Sequence, residues 1–334
     1  METEQTLISN DTFTCVRVNT SPPTFKITWS CRNVDVVDIK KIGSIVNRST
    51  DYRAISRQTL NKMRTITSLD ANQIVSARSA LLKNKIISSF YRMDAHVIRI
   101  IPEYEHKGIL YVSNTYDFPP LNLLRGILLR RGYSTKSLRE IFVNKTNAAK
   151  ILGTYDMQQY VIAEANDAES SFNQRQIAEI AAANELTFVN YFRSLGIALK
   201  DENEIAAEQV AEHGRAIATP DILFLDNVII NGVAVTWLDY KDYIGTNVRF
   251  LYMSNLSQAA EYNSRWGVGA IAYHHGAIST MSIPGTLLLD AGTLPIKLCN
   301  KDIPTSIRIN VVSETKTNTQ AQTSQRKKTK NAEK

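Results

Sequence analysis

Cysteine is scarce in this chain: there are three in 334 residues, Cys15, Cys31 and Cys299, odd in number and far apart. That usage excludes a disulfide-stapled scaffold, points to a reducing compartment, and offers no paired spacing for a structural zinc. Long apolar runs are missing too. No stretch approaches the roughly 20 residues that a helix needs to cross a bilayer, so no membrane partner is expected. The start, Met1-Glu2-Thr3-Glu4, is acidic and polar, without the basic-then-apolar order of a secretory signal. The expected location is therefore intracellular, nuclear or cytoplasmic. His213, His274 and His275 fit no zinc pattern and are read as structural or surface residues. Internal repeats are absent.

What is present is a 43% hydrophobic chain long enough for two domains. The net charge of +7 is unevenly spread: +10 over residues 1–160, −7 over 161–313 and +4 over 314–334. A basic half joined to an acidic half suits a nucleic-acid-binding module fused to a metal–carboxylate module. The expected division is a mainly helical basic domain over 1–160, a second domain over 161–313, and a disordered basic tail over 314–334. The tail segment Arg326-Lys327-Lys328-Thr329-Lys330 reads as a nuclear localisation signal or a phosphate contact.

Residues 1–34 read as short strands or an irregular arm. Ser49-Thr50-Asp51 is expected to cap a helix carrying Tyr52, Ile55, Leu60 and Met63, and Asp70 to cap the next. His96–Tyr104 and Gly108–Ser113 read as strands, because Val97-Ile98-Arg99-Ile100 alternates and Ile109–Val112 is apolar and β-prone. Pro119-Pro120 opens a helix with Leu121, Leu124, Ile127 and Leu128 as its apolar stripe. Gly132 ends it, and Ser134 starts another, a helix-turn-helix outline carrying Arg125, Arg130, Arg131, Lys136, Arg139 and Lys145. A long helix is expected over about 170–194, then strands at Ile222–Leu225, Val228–Ile230 and Val233–Lys241 around the hairpin signal Asn231-Gly232. A helix at 254–265, a strand at 268–273 and a last strand at 307–312 complete the pattern.

Phosphodiester hydrolysis needs carboxylates converging on a divalent cation, and a nearby lysine to orient water or offset charge at phosphorus. In Val233–Lys241, alternation puts Asp239 and Lys241 on one face and Tyr240 on the other. The Asn231-Gly232 hairpin folds Asp221 back alongside, and Pro220 stiffens its approach. Asp followed at a distance by Asp-x-Lys on a central strand is the pattern of the PD-(D/E)XK nucleases.

The wider sequence resembles the TPD-motif nucleases of that superfamily, the group that includes the codanin-interacting nuclease. The resemblance rests on Pro119-Pro120 with the helix after it, Gly153-Thr154-Tyr155-Asp156 leading to Asn166-Asp167, and Asn184-Glu185-Leu186 through Leu195-Gly196-Ile197. It continues through Thr219-Pro220-Asp221-Ile222-Leu223, Trp237-Leu238-Asp239-Tyr240-Lys241 with Gly245, Gln258 with Tyr262, Gly267-Val268-Gly269 and Ala272-Tyr273. It covers roughly residues 115 to 280. The resemblance implies an α/β fold with a restriction-endonuclease-like mixed sheet flanked by helices, behind a helix-turn-helix-like N-terminal domain. It implies a Mg²⁺- or Mn²⁺-dependent deoxyribonuclease acting on duplex or branched DNA, with a codanin-like protein as a further partner. Asp221, Asp239 and Glu185 would be metal ligands, with Glu179 the runner-up for the helical carboxylate. Lys241 would be the catalytic lysine, and Gln258 would contact substrate or position water. Tyr240 departs from the small residue usual between Asp and Lys. The alternative is an inactive nuclease fold kept as a DNA-binding or protein-interaction scaffold.

Overall fold

In a computed structural model describing residues 3–143, 145–168 and 171–299, the chain opens with strands β1 (Glu4–Ser9), β2 (Phe13–Val18), β3 (Thr24–Trp29) and β4 (Asn33–Val34). Helices α1 (Val36–Arg48), α2 (Arg57–Ile66), α3 (Ala71–Lys107), α4 (Ile109–Tyr116), α5 (Pro120–Arg130), α6 (Thr135–Val143), α7 (Lys145–Ile151), α8 (Thr154–Ala165) and α9 (Ser171–Ser194) follow. Then come β5 (Leu199–Asp201), α10 (Glu202–His213), β6 (Ile222–Ile230), β7 (Val233–Lys241), α11 (Arg249–Trp266), β8 (Gly269–Tyr273), β9 (Ala277–Ile278) and β10 (Thr286–Asp290). The expected strand at 307–312 and the basic run Arg326–Lys330 lie outside the described residues.

Two compact units emerge. The first comprises Met1–Asp51, Ser56–His96 and Gln176–Asn300; the described residues of the second are within Tyr52–Ile55 and Val97–Arg175. The first unit is built on a mixed sheet of order β1-β2-β3-β6-β7-β8-β10, with β5 also paired to β6. Pairing is parallel for β3–β6, β7–β8 and β8–β10, and antiparallel elsewhere along it. The first thirty residues therefore belong to the same sheet as the C-terminal strands, not to a helical domain ending at residue 160. Local sequence could not show this: pairing β3 with β6 satisfies backbone groups and leaves no periodic mark of its own. The core of this sheet joins Phe13, Cys15, Phe25, Ile27 and Trp29 to Phe188, Val189 and Phe192 of α9, and to Ile222, Leu238 and Tyr240.

Two strand expectations are overturned. Residues 96–104 lie in the 37-residue α3, and residues 109–113 in α4. Val97, Ile100 and Tyr104 are all buried, at helical spacing, whereas Ile98 is exposed. The β-branched composition imitated a strand, but burial follows the helical period. The cap of α2 is Ser56, whose hydroxyl accepts from Thr59 N at 3.1 Å, not the Ser49–Asp51 run. Asp70 does cap α3: its Oδ1 accepts from Asn72 N at 2.8 Å and Gln73 N at 2.9 Å. Residues 222–225 and 228–230, read as two strands, form one β6 with a register shift between Leu223 and Val228.

In the second unit, α5 buries Leu121, Leu124, Ile127 and Leu128. It turns through Gly132 at φ 94° into α6, where the Ser134 hydroxyl accepts from Ser137 N at 3.0 Å. The helix–turn–helix outline is thus present. One of its arginines serves the unit itself: Arg131 bonds Asp156 at 2.8 Å and Glu105 at 2.6 Å, and the Tyr104 hydroxyl donates to the same Asp156 at 2.7 Å. Arg125, Lys136, Arg139 and Lys145 are exposed.

Candidate metal centre

The centre is assembled by the hairpin. Asn231 and Gly232 take φ of 50° and 82°, the left-handed pair that a two-residue turn between twisted strands requires. The turn sets Ile230 opposite Val233, and the register shift between Leu223 and Val228 then brings Ile222 opposite Leu238, so Asp221, just before β6, meets the far end of β7. Its Oδ2 accepts the Tyr240 N–H at 2.6 Å. Along β7, Asp239 and Lys241 touch as an ion pair, with side chains 2% and 16% exposed. Tyr240 turns the other way, as alternation requires. Its ring packs against Phe188 with centroids 5.1 Å apart, and its hydroxyl donates to Asp242 Oδ1 at 3.0 Å.

Helix α9 brings Glu185. Its neighbour Asn184 is buried and fixes the helix locally: Nδ2 donates to Asp242 Oδ1 at 3.0 Å and to Cys299 O at 2.8 Å. Glu185 is half-buried, while Glu179 is exposed on the same helix. A fourth carboxylate, not singled out from sequence, is Glu202, the first residue of α10. Carboxylate oxygens of Glu185, Glu202 and Asp221 lie within 4.8 Å of one another. The sequence carried a signal for the start of its helix, though not for its role. Asp201 and Glu204 form a capping box that fixes where α10 begins, and so where Glu202 stands.

Gln258, expected at the substrate, reaches the motif through another residue. Its Nε2 donates to the Tyr262 hydroxyl at 2.9 Å, which donates to Thr219 O at 2.9 Å. Two glycines admit close packing nearby. At Gly269 a Cβ would fall 2.0 Å from Trp237 Cε2, and at Gly245 one would fall 2.7 Å from Ala277 Cβ. His274 and His275 are buried and stacked at 4.3 Å, with His274 Nδ1 2.8 Å from Asp242 Oδ1. They take structural places, whereas His213 lies exposed beside Glu212.

The electrostatics are strained. Burial, reinforced by Asp239 and Glu185, pushes the Asp221 carboxyl well above the ordinary carboxylate range. Burial, with Glu202 and Asp239 beside it, raises Glu185. Burial opposes the charge on Lys241, yet Asp239 and its neighbours raise it above an ordinary lysine, so its ammonium persists at neutral pH. Buried Asp221 and half-buried Glu185, set beside the exposed Glu202, repel one another in a way that a divalent cation relieves. The donors in the trio are all carboxylate oxygens, which suits a hard ion such as Mg²⁺ or Mn²⁺ better than zinc.

An uncharacterized protein of Acanthamoeba polyphaga mimivirus is 35% identical over 122 residues, which are 35% of this chain and 41% of that protein. The chain thus spans less than half the length of that relative. No solved structure matches. Residues 154–291 match the model of a family described as a protein of unknown function with the TPD sequence motif, and the segment holding Glu185, Glu202, Asp221, Asp239 and Lys241 is a TPD-motif segment.

Proposed function

We propose that this chain is a divalent-cation-dependent deoxyribonuclease with a restriction-endonuclease-like core. The observation that carries the reading is the convergence of Glu185, Glu202 and Asp221 beside the Asp239–Lys241 pair, drawn from α9, α10, the Thr219-Pro220-Asp221 segment and β7. A mixed sheet with the acid before one strand of a hairpin and Asp-x-Lys on the next supports the fold assignment.

The carboxylates would hold Mg²⁺ or Mn²⁺, which when bound polarises the scissile phosphate and acidifies a water. Asp221, tied to the Tyr240 N–H, keeps one carboxylate fixed relative to β7. Lys241, held charged by Asp239, offsets negative charge developing at phosphorus. Its protonated state favours this electrostatic role over that of a base. Exposed Arg125, Lys136, Arg139 and Lys145 supply phosphate contacts for the DNA.

The test is cleavage of duplex, single-stranded and branched DNA by the purified full chain with Mg²⁺, Mn²⁺ or chelator. Cation-dependent cutting, lost in Asp239→Ala, is expected. Equal cutting by that variant would remove the site assignment. DNA binding without cutting under any cation would favour the scaffold alternative.

A further inference from the structure

The first residue of the Thr-Pro-Asp motif has no assigned role in a cation site made of carboxylates. Its side chain nevertheless points to one: Thr219 Oγ1 donates to Glu202 Oε1 at 3.1 Å. We propose that Thr219 is a positioning residue that delivers Glu202, as a cation ligand, to Asp221 and Glu185. The proposal rests on reading the cluster as a cation site.

Three observations make the geometry specific. The backbone of Thr219 is fixed before its hydroxyl acts, since its carbonyl accepts from Tyr262 and the Pro220 ring after it is buried. The segment leading into the motif is clamped to α10, the helix that carries Glu202. The Gln209 side chain donates to Ala218 O at 2.6 Å and accepts from Ile217 N at 2.7 Å and Ala218 N at 3.0 Å. The start of α10 is itself held: Asp201 Oδ1 accepts from Glu204 N at 3.0 Å, and Arg193 bonds both Asp201 at 2.9 Å and Glu204 at 2.7 Å. Only the Glu202 side chain is left to be aimed. It is long and exposed, with rotamer freedom that a single directed hydrogen bond removes. A hydrogen bond that orients a ligand is worth about 10–100-fold in metal affinity.

Thr219→Val keeps the shape and deletes the donor, whereas Thr219→Ser keeps the donor. Mn²⁺ binding to the full chain, followed by calorimetry and thermal melting, is expected to weaken about 10–100-fold in Thr219→Val. In Thr219→Ser it should stay within about threefold. Glu202→Gln should weaken it comparably, and Glu202→Gln/Thr219→Val no further, because Thr219 acts through Glu202. The exposed Glu202→Gln change keeps the test decisive if Thr219→Val fails to fold: undiminished Mn²⁺ affinity there overturns the proposal. Wild-type affinity in a folded Thr219→Val, or additive losses in the double variant, also overturns it and leaves the cation site standing. Absence of Mn²⁺ binding by the wild-type chain overturns the cation site and the proposal together.

Discussion

Asp221 accepts the backbone N–H of Tyr240 at 2.6 Å. The two halves of the motif, separated by a full hairpin, are therefore one rigid piece. A side chain that must move to bind a ligand rarely spends an oxygen on the neighbouring strand. Asp221 does, and the bond aligns it with the strand carrying Asp239 and Lys241.

The raised Asp221 and Glu185 set a pH dependence. Each binds its proton more tightly in the folded chain than in the unfolded one, where the ordinary values are 3.8 and 4.5. Without divalent cation, stability should therefore fall as pH rises from those values through the higher folded ones. A cation competes with the protons, so its affinity should rise over the same window and its binding release protons. Melting curves from pH 4 to 8 with chelator or Mn²⁺ check this. The decline should vanish with Mn²⁺ and shrink in Asp221→Asn.

Removing Lys241 alone should hurt the fold as well as the chemistry. Asp239 would be left desolvated without its counter-charge, a loss of about 3–5 kcal/mol for a buried pair. Denaturant unfolding of Lys241→Met in chelator measures it. Lys241→Met/Asp239→Leu should be close to wild type in stability and inactive in cleavage.

The arginines of the helical unit should separate into two classes. Arg131→Met leaves Asp156 with the Tyr104 hydroxyl but without its counter-charge and should destabilise by about 3 kcal/mol, readable as a lowered unfolding midpoint. Arg139→Ala should leave that midpoint within about 0.5 kcal/mol. It should weaken DNA binding across sequences and reduce the salt slope by about one.

Gly269→Ala should destabilise by about 3 kcal/mol or more, since the new methyl would overlap the Trp237 ring. Chemical denaturation reads the loss, and Trp237→Leu in the same chain should recover part of it.

Some of this was legible from residues alone, for physical reasons. Asn231-Gly232 is a local turn requirement, and alternation along Val233–Lys241 is a local steric rule, so the hairpin, the Asp239–Lys241 pairing and the opposite orientation of Tyr240 could be read directly. Strand β8 announced itself as a short continuous apolar run, and the helix expected at 254–265 is α11, which begins five residues earlier. Glu202 could not, because an acidic residue at a helix start looks like any solvated charge until another segment folds against it. Residues 97–100 misled because β-branched composition and helical burial coincide there. The β3–β6 pairing was invisible because its partners are far apart and its bonds are backbone only.

That pairing reaches beyond architecture. Roughly 200 residues separate β3 from the strand it completes, so the N-terminal hairpin leaves the ribosome long before its partner and must wait unpaired on one side. Equally, the motif-bearing stretch of 154–291 is not a portable module. Excised, it would keep β5 on Ile222–Phe224 but bare the Asn227–Ile230 edge of β6 that β3 covers, and such a fragment should be recovered from aggregates rather than from solution.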